Sequence, residues 1–314
     1  MSGALKIYSG RNRPDLAPVY RLFEQLTDIT VQVDRIYHWD VEGRVVDERA
    51  DPQADILLTN SQLALQLVQE AGVFEPYAAP VARNYADWLR APDYSWLSFT
   101  AWPRVAMINR WVLGDDSSRW PTRLEDFTRP EFRGKLGCAS MVEATTIAQF
   151  AAIRVARGDA YAEDLLDRLC ANGLHVYPSN LDTRQALIRE KLAAALANSS
   201  NIHVSSMEGN AVSEAWLDQE DGGLGTHVEA HTVAVLKGCK HPERARDFVD
   251  FLLAPGTQGL LARLYGETLV NPNAEHGWIR PLAAIRRTDA PLDRIAAAFN
   301  STRSLLQSKG FGAP

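Results

Sequence analysis

The strongest constraint on the fold of this chain is a repeated local grammar: a short apolar run, a polar turn, then a segment with apolar residues three and four apart. A short apolar run suits a strand covered on both faces, and the three- and four-residue spacing suits a helix that rests one stripe on a core. Leu5 to Tyr8 reads as strand, Ser9 to Arg13 as turn and Pro14 to Leu26 as helix, with Pro14 in the first turn, where its missing N–H costs little. Ile29 to Val33 reads as a second strand. The third unit runs through Ala54 to Leu58 as strand, Thr59-Asn60-Ser61 as turn and Gln62 to Ala71 as helix, with Gly72 at a C-terminal cap position. Such units predict an α/β fold with a mostly parallel sheet and helices on its faces.

A loop-rich, aromatic stretch from Glu75 to Ser98 interrupts the pattern, and the strand Arg104 to Asn109 then leads into a second lobe. There the grammar restarts. Leu136 to Cys138 is a strand ending at Ala139-Ser140, and Val142 to Ala156 is a helix before Arg157-Gly158. Leu174 to Tyr177 is a strand ending at Pro178-Ser179-Asn180, followed by a helix from Thr183 to Leu192. The strand His231 to Leu236 precedes a helix over Arg244 to Leu253, with Pro242 ahead of it. The expected architecture is two α/β lobes with at least two crossovers.

Of the 314 residues, 46% are hydrophobic and 23% charged, the balance of a folded globular chain. The net charge of -6 argues against broad polyanion binding, which needs a basic face, so no nucleic-acid partner is expected. Apolar stretches such as Leu192 to Ala197 fall far short of the roughly 20 residues that cross a bilayer. The opening MSGALKIYSG carries neither the charged nor the apolar region of a secretory signal, so either the protein stays in the cytoplasm or a signal has been removed. Cys138, Cys170 and Cys239 are odd in number and widely spaced, which fits buried free thiols better than a disulfide framework or a metal knuckle.

The turns are unusually polar. Ser9-Gly10-Arg11-Asn12, Thr59-Asn60-Ser61, Ala139-Ser140-Met141 and Ser179-Asn180-Leu181-Asp182 each bring hydroxyl or amide side chains to a helix start. Unpaired N–H groups and the positive end of the helix dipole let such a turn hold an anion without a buried lysine. Helix capping alone accounts for any one of them. Four, spread over two lobes at the carboxyl ends of strands, point to a shared ligand.

The phrases "LKIYSGRN", "QADILLTNSQLALQLVQEAGVF", "FTRPEFRGKLGCAS" and "ERARDFVDFLLAPGTQGLLA" followed by "LVNPN", in this order and spacing, make the chain resemble the periplasmic ferric-iron-binding proteins, substrate-binding components of ABC importers. The resemblance runs nearly end to end. It implies a type 2 periplasmic binding fold: one lobe from residues 1–100 and about 227–275, the other from about 101–226 and 276–314, a two-strand hinge and a closing cleft. It also implies a periplasmic protein whose signal is absent from this chain, with a membrane permease as partner, acting as a monomer without cofactor.

Iron-binding members of that family use two adjacent tyrosines in the second lobe, often with a first-turn histidine and a glutamate after the third strand. At the corresponding places stand Ser200 and Asn201, Asn12, and Asn60. Fe(III) is a hard acid that needs anionic oxygen donors, which amides and neutral hydroxyls replace poorly. The positions that hold the accompanying anion have better counterparts in Ser140, Asn180 and Asn198. The expected ligand is therefore an anionic or polar small organic molecule, with phosphorylated compounds among the candidates; the alternative is ferric iron held by non-standard ligands or by a bound anion. The residues assigned to the ligand are Ser9, Arg11, Asn12, Asn60, Ser61, Ser140, Thr145, Asn180, Asn198, Ser200, His203 and Glu229.

His227, Glu229 and His231 alternate in "GTHVEAHTVAV", so on a strand they share one face and form a candidate metal set, with a solvated face and an ordinary ionic contact as the competing reading. His203 either contacts ligand or caps a loop. Trp39, Trp88, Trp96 and Trp102 cluster in the first lobe, more readily as packing than as a stacking platform. Arg11 and Arg13 are candidates to supply positive charge; Arg104, after "FTAW", lies near the expected crossover and is equally a candidate for a structural ion-pair partner. No nucleophile elbow, phosphate-binding glycine loop or His-Glu-x-x-His helix occurs, and no enzymatic activity is expected.

Overall fold

The computed structural model describes residues 3–11, 16–36 and 38–312. Asn12, Arg13 and Tyr37, and the start of the helix expected from Pro14, lie outside the described residues, as does the side chain of Trp39. In chain order the first elements are β1 (Leu5–Ser9), α1 (Ala17–Thr27), β2 (Val31–Arg35), α2 (His38–Asp47), β3 (Ile56–Thr59), α3 (Gln62–Val68) and β4 (Phe74–Glu75). The long β5 (Leu97–Asn109) and the single turn α4 (Arg110–Leu113) follow. Next come β6 (Leu136–Ala139), α5 (Ala144–Arg157), α6 (Asp159–Ala171), β7 (His175–Tyr177), α7 (Asn180–Arg189), β8 (Ala194–Asn198), α8 (Ser199–Met207) and β9 (Val212–Ala215). The chain closes with β10 (Val228–Leu236), α9 (Pro242–Leu253), α10 (Pro255–Tyr265), β11 (Thr268–Leu269) and α11 (Leu292–Ser308).

These elements form two compact units, the first from residues 1–101 and 229–279 and the second from 102–228 and 280–314. In the first unit β1 lies between β2 and β3, parallel to both, and β10 runs antiparallel to β3. Strand β3 reads Ile-Leu-Leu-Thr and is buried throughout, because in this layered arrangement both faces of a central strand are covered. Helix α1 packs on α9 through Phe23, whose ring meets Phe248 edge-on at 5.2 Å and Phe251 at 5.3 Å. Helix α3 passes into a short 3-10 turn that ends at Gly72, whose φ of 64° is the left-handed conformation that glycine adopts without penalty.

In the second unit β6 lies between β7 and β8, parallel to both, while β5 pairs antiparallel with β8 and β9. Val105 and Met107 of β5 join Leu187, Leu192, Ala195 and Ile202 in one buried cluster. On another side α5 packs against α11, with Phe150 edge-on to Phe311 at 5.8 Å. The sequence pattern places the start of α7 three residues too late: the helix begins at Asn180, because Ser179 Oγ accepts from the Asp182 N–H and caps it there. It also misses α2, α6, α8, α10 and α11, and the single turn α4. The three cysteines are free thiols, with Cys138 fully buried and its pKa pushed up to about 12 by that burial. Trp96 and Trp102 are buried among packing side chains.

Candidate functional site

Among the described residues, the side chains assigned to ligand fall into two groups, one in each unit. In the second unit the organising residue is Arg104, on β5 and 2% exposed. Its Nη1 donates to Asn180 Oδ1 at 3.1 Å and to Asn198 Oδ1 at 2.9 Å, its Nε to Gln149 Oε1 at 3.1 Å, and its Nη2 to the Leu196 carbonyl at 3.4 Å. A guanidinium only donates, so it turns both asparagine oxygens towards itself and leaves their amide N–H groups facing elsewhere. Asn180 Nδ2 donates to Thr145 Oγ1 at 3.3 Å. Asn180 is the first residue of α7 and Asn198 the N-cap of α8, so both amides sit where helix N–H groups lack intrahelical partners. The set is rich in donors and suited to oxygen atoms carrying negative charge.

Ser140, at the end of β6, is buried and its hydroxyl donates to the Pro178 carbonyl at 3.1 Å, which positions the turn beside Asn180. Ser200 lies half-buried in the first turn of α8, and His203 on the same helix is also half-buried. Asn201, the other residue at the expected tyrosine positions, is buried and accepts the Asn198 N–H at 3.2 Å through Oδ1. It completes a capping box and is thereby committed to the backbone.

In the first unit Ser9 ends β1 and accepts from the Arg11 N–H at 3.4 Å. Arg11 is buried, lies 5.3 Å from the centre of the Phe99 ring, and pairs with Glu267 Oε1 at 2.6 Å. The other Glu267 oxygen accepts from Thr100 Oγ1 at 2.5 Å, and His231 Nδ1 lies 2.9 Å from that hydroxyl. Burial alone would raise the Glu267 carboxyl; the charge of Arg11, with His231 and the Thr100 hydroxyl, overcomes it and holds the group well below the usual carboxylate range. Ser61 caps α3 by accepting the Leu63 N–H and donates to Glu229, while Asn60 Nδ2 donates to the Gly10 carbonyl at 3.2 Å. Here most of the named polar groups bond one another, while Arg11 Nε and Nη1 are buried without a hydrogen-bond partner.

The candidate metal set of His227, Glu229 and His231 is not assembled: among the described residues no three histidine, cysteine or acidic side chains are grouped to hold a metal ion. The reason is prior commitment. Glu229 accepts from Ser61, His231 bonds Thr100 3.5 Å from Glu267, and His227 belongs to the second unit, its ring 6.4 Å from and edge-on to Trp102. Tyr8 and Tyr177 are no better placed to act as phenolates. Tyr8 donates to Glu48 and its pKa is pushed up to about 12, first by burial and then by that carboxylate; Tyr177 donates to Glu190 at 2.5 Å and is raised for the same reasons.

Arg104, Gln149, Thr100 and Glu267 were not among the residues assigned to the ligand from sequence. Nothing local marks them, since Arg11 and Glu267 are 256 residues apart, and Arg104 stands 76 and 94 residues from its two asparagines.

The family of bacterial extracellular solute-binding proteins matches residues 51–277, well over half of the chain. The major ferric iron-binding protein of Neisseria meningitidis serogroup B is 22% identical over 314 residues, covering 97% of this chain and 92% of that protein. The solved structure of Trichodesmium FutA in complex with iron and citrate superposes with a TM-score of 0.82 at 21% identity, over 99% of this chain and 100% of that one. The periplasmic binding protein AfuA of Actinobacillus pleuropneumoniae, with fructose-6-phosphate bound, gives 0.75 at 20% identity over 98% of both chains. At these identities the structures establish the type 2 periplasmic binding fold expected from the sequence. The matched proteins bind solutes and are not enzymes. With its fold, its polar helix starts and this match together, the chain belongs to the family of bacterial extracellular solute-binding proteins, in the company of the ferric-iron-binding proteins it resembles.

Proposed function

We propose that this protein is the periplasmic capture component of an ABC importer, acting as a monomer that hands its ligand to a membrane permease, and that its cargo is ferric iron accompanied by an anion. The observation that carries the proposal is the Arg104 cluster, in which one buried guanidinium orients Asn180 and Asn198 at two helix starts. Iron is favoured by relatives and neighbours that are named for it. Bare Fe(III) is disfavoured by the residues, because Asn60, Ser200 and Asn201 offer no anionic oxygen and the hydroxyls of Tyr8 and Tyr177 donate to Glu48 and Glu190. Both observations are met when the protein grips the anion and the anion's own oxygens hold the metal.

A second reading, a phosphorylated organic ligand taken up without metal, draws on the neutral donors of the same cluster and on the likeness to AfuA. Calorimetric titration with ferric citrate, citrate, orthophosphate and fructose-6-phosphate separates the two. Tight binding of ferric citrate without a visible phenolate-to-iron band supports the first. Binding of the sugar phosphate alone replaces it with the second, and binding of none of the four overturns both.

A further inference from the structure

We infer that Glu143 sets what the second unit's site accepts: its carboxylate disfavours a bare anion and favours an anion that arrives with a cation. The inference rests on the reading of the Arg104 cluster given above. Glu143 is the N-cap residue of α5, and its Oε1 accepts the backbone N–H of Asn180, the first residue of α7, at 3.4 Å. Asn180 accepts in turn from Arg104, which also binds Asn198 at the start of α8. Three helices of 14, 10 and 9 residues therefore begin at residues linked through one guanidinium and one amide.

The electrostatic balance follows from those positions. Each helix start acts as roughly half a positive charge and Arg104 as a full one, so the surroundings attract anions strongly. Glu143 places a fixed negative charge among them. A bare citrate or phosphate ion gains from the helices and the arginine but is repelled by this carboxylate. An anion that carries Fe(III) turns the same repulsion into attraction, and a carboxylate is a hard oxygen donor of the kind that the metal prefers. Glu143 thus supplies an anionic oxygen beside Asn180, Asn198 and Arg104, whereas Asp182, the carboxylate in the first turn of α7, is engaged by the Ser179 hydroxyl at 2.5 Å.

The competing role for Glu143 is a brace for the first N–H of α7. Glutamine keeps an oxygen acceptor for that bond and removes only the charge, so Glu143→Gln separates the two roles. In titrations of wild type and E143Q with citrate, orthophosphate and ferric citrate, the variant should bind the two bare anions about tenfold more tightly and ferric citrate about tenfold more weakly, with unchanged Tm. Glu143→Asp, which keeps the charge, should retain the wild-type preference. Equal changes for all three ligands, or none in a folded variant, would overturn the role assigned to Glu143 while leaving the reading of the site intact. Failure of the wild type to bind any of the three would overturn both.

Discussion

The two units solve the problem of buried charge in opposite ways. In the first, Arg11 meets a carboxylate, Glu267, that is itself buried and held by Thr100. In the second, Arg104 is gripped by the oxygens of Asn180, Asn198 and Gln149, which are neutral. An ion pair cancels its own field and serves stability. The Arg104 guanidinium instead orients amides at two helix starts, the arrangement proposed above to receive a ligand. The same contrast appears in two buried carboxylates: Glu267, beside Arg11, is held below the usual range, whereas burial pushes Asp218 in the second unit up to about 6, with the Leu124 N–H opposing the shift and the charge of Glu220 adding to it.

Breaking the first unit's pair should have the largest effect on stability. Arg11→Met leaves Glu267 buried without its cation and should cost about 3–5 kcal/mol at neutral pH in urea denaturation. The cost should shrink in acid. Because the folded pKa of Glu267 is depressed, its contribution is present above the ordinary carboxylate value and is lost as pH falls further, through the depressed value. A loss below about 1 kcal/mol would show that the pair is not what holds this corner.

Changing the second unit's cation should instead fall mainly on binding. Arg104→Lys keeps the charge but loses the fork that fixes both amides, and should weaken ferric citrate by about 2 kcal/mol in calorimetry. If affinity is unchanged while Tm falls, Arg104 is structural and the contrast between the units collapses. A smaller effect is expected at Ser61, which caps α3 and donates to Glu229: Ser61→Ala should lose about 1 kcal/mol of stability in thermal denaturation.

The smallest change should be a gain. The raised pKa of Asp218 means that the folded state holds a proton more tightly than the unfolded chain, so its ionised form costs stability at pH 7. Asp218→Asn, which retains an acceptor for the Leu124 N–H, should stabilise by about 0.5–1 kcal/mol at pH 7, a figure reduced for partial solvent screening. That gain should fade as pH drops from about 6 towards the ordinary value of 3.8, opposite in sign to the acid response of the Arg11 and Glu267 pair. Denaturation midpoints across this window decide it.

Much of the fold was legible in the chain. Apolar runs marked β1, β3, β6 and β10 because their residues are covered on both faces, and three- and four-residue spacing marked α1, α3, α5 and α9. Helix α6 escapes the strand-turn-helix grammar, although Leu165, Leu166 and Leu169 carry a stripe, because it follows α5 directly with no strand between them. Asn180 stands in a polar turn at a helix start, Asn198 is assigned through the family resemblance and Thr145 among the ligand residues, and the structure links the three. His227, Glu229 and His231 were grouped by alternation, a one-dimensional rule that ignores which partners the rest of the fold supplies.

What the sequence determined by itself is the α/β layering and the polar helix starts, because each depends on residue type and short-range spacing alone; that Ser200 and Asn201 stand in place of a tyrosine pair is what the resemblance to the ferric-iron-binding proteins implies. Only the tertiary structure decided how the charges are used. Arg11 finds Glu267 and Arg104 finds Asn180 and Asn198 through strands that are distant in sequence and adjacent in space. A buried charge takes its chemistry from its neighbours, and neighbours are a property of the fold.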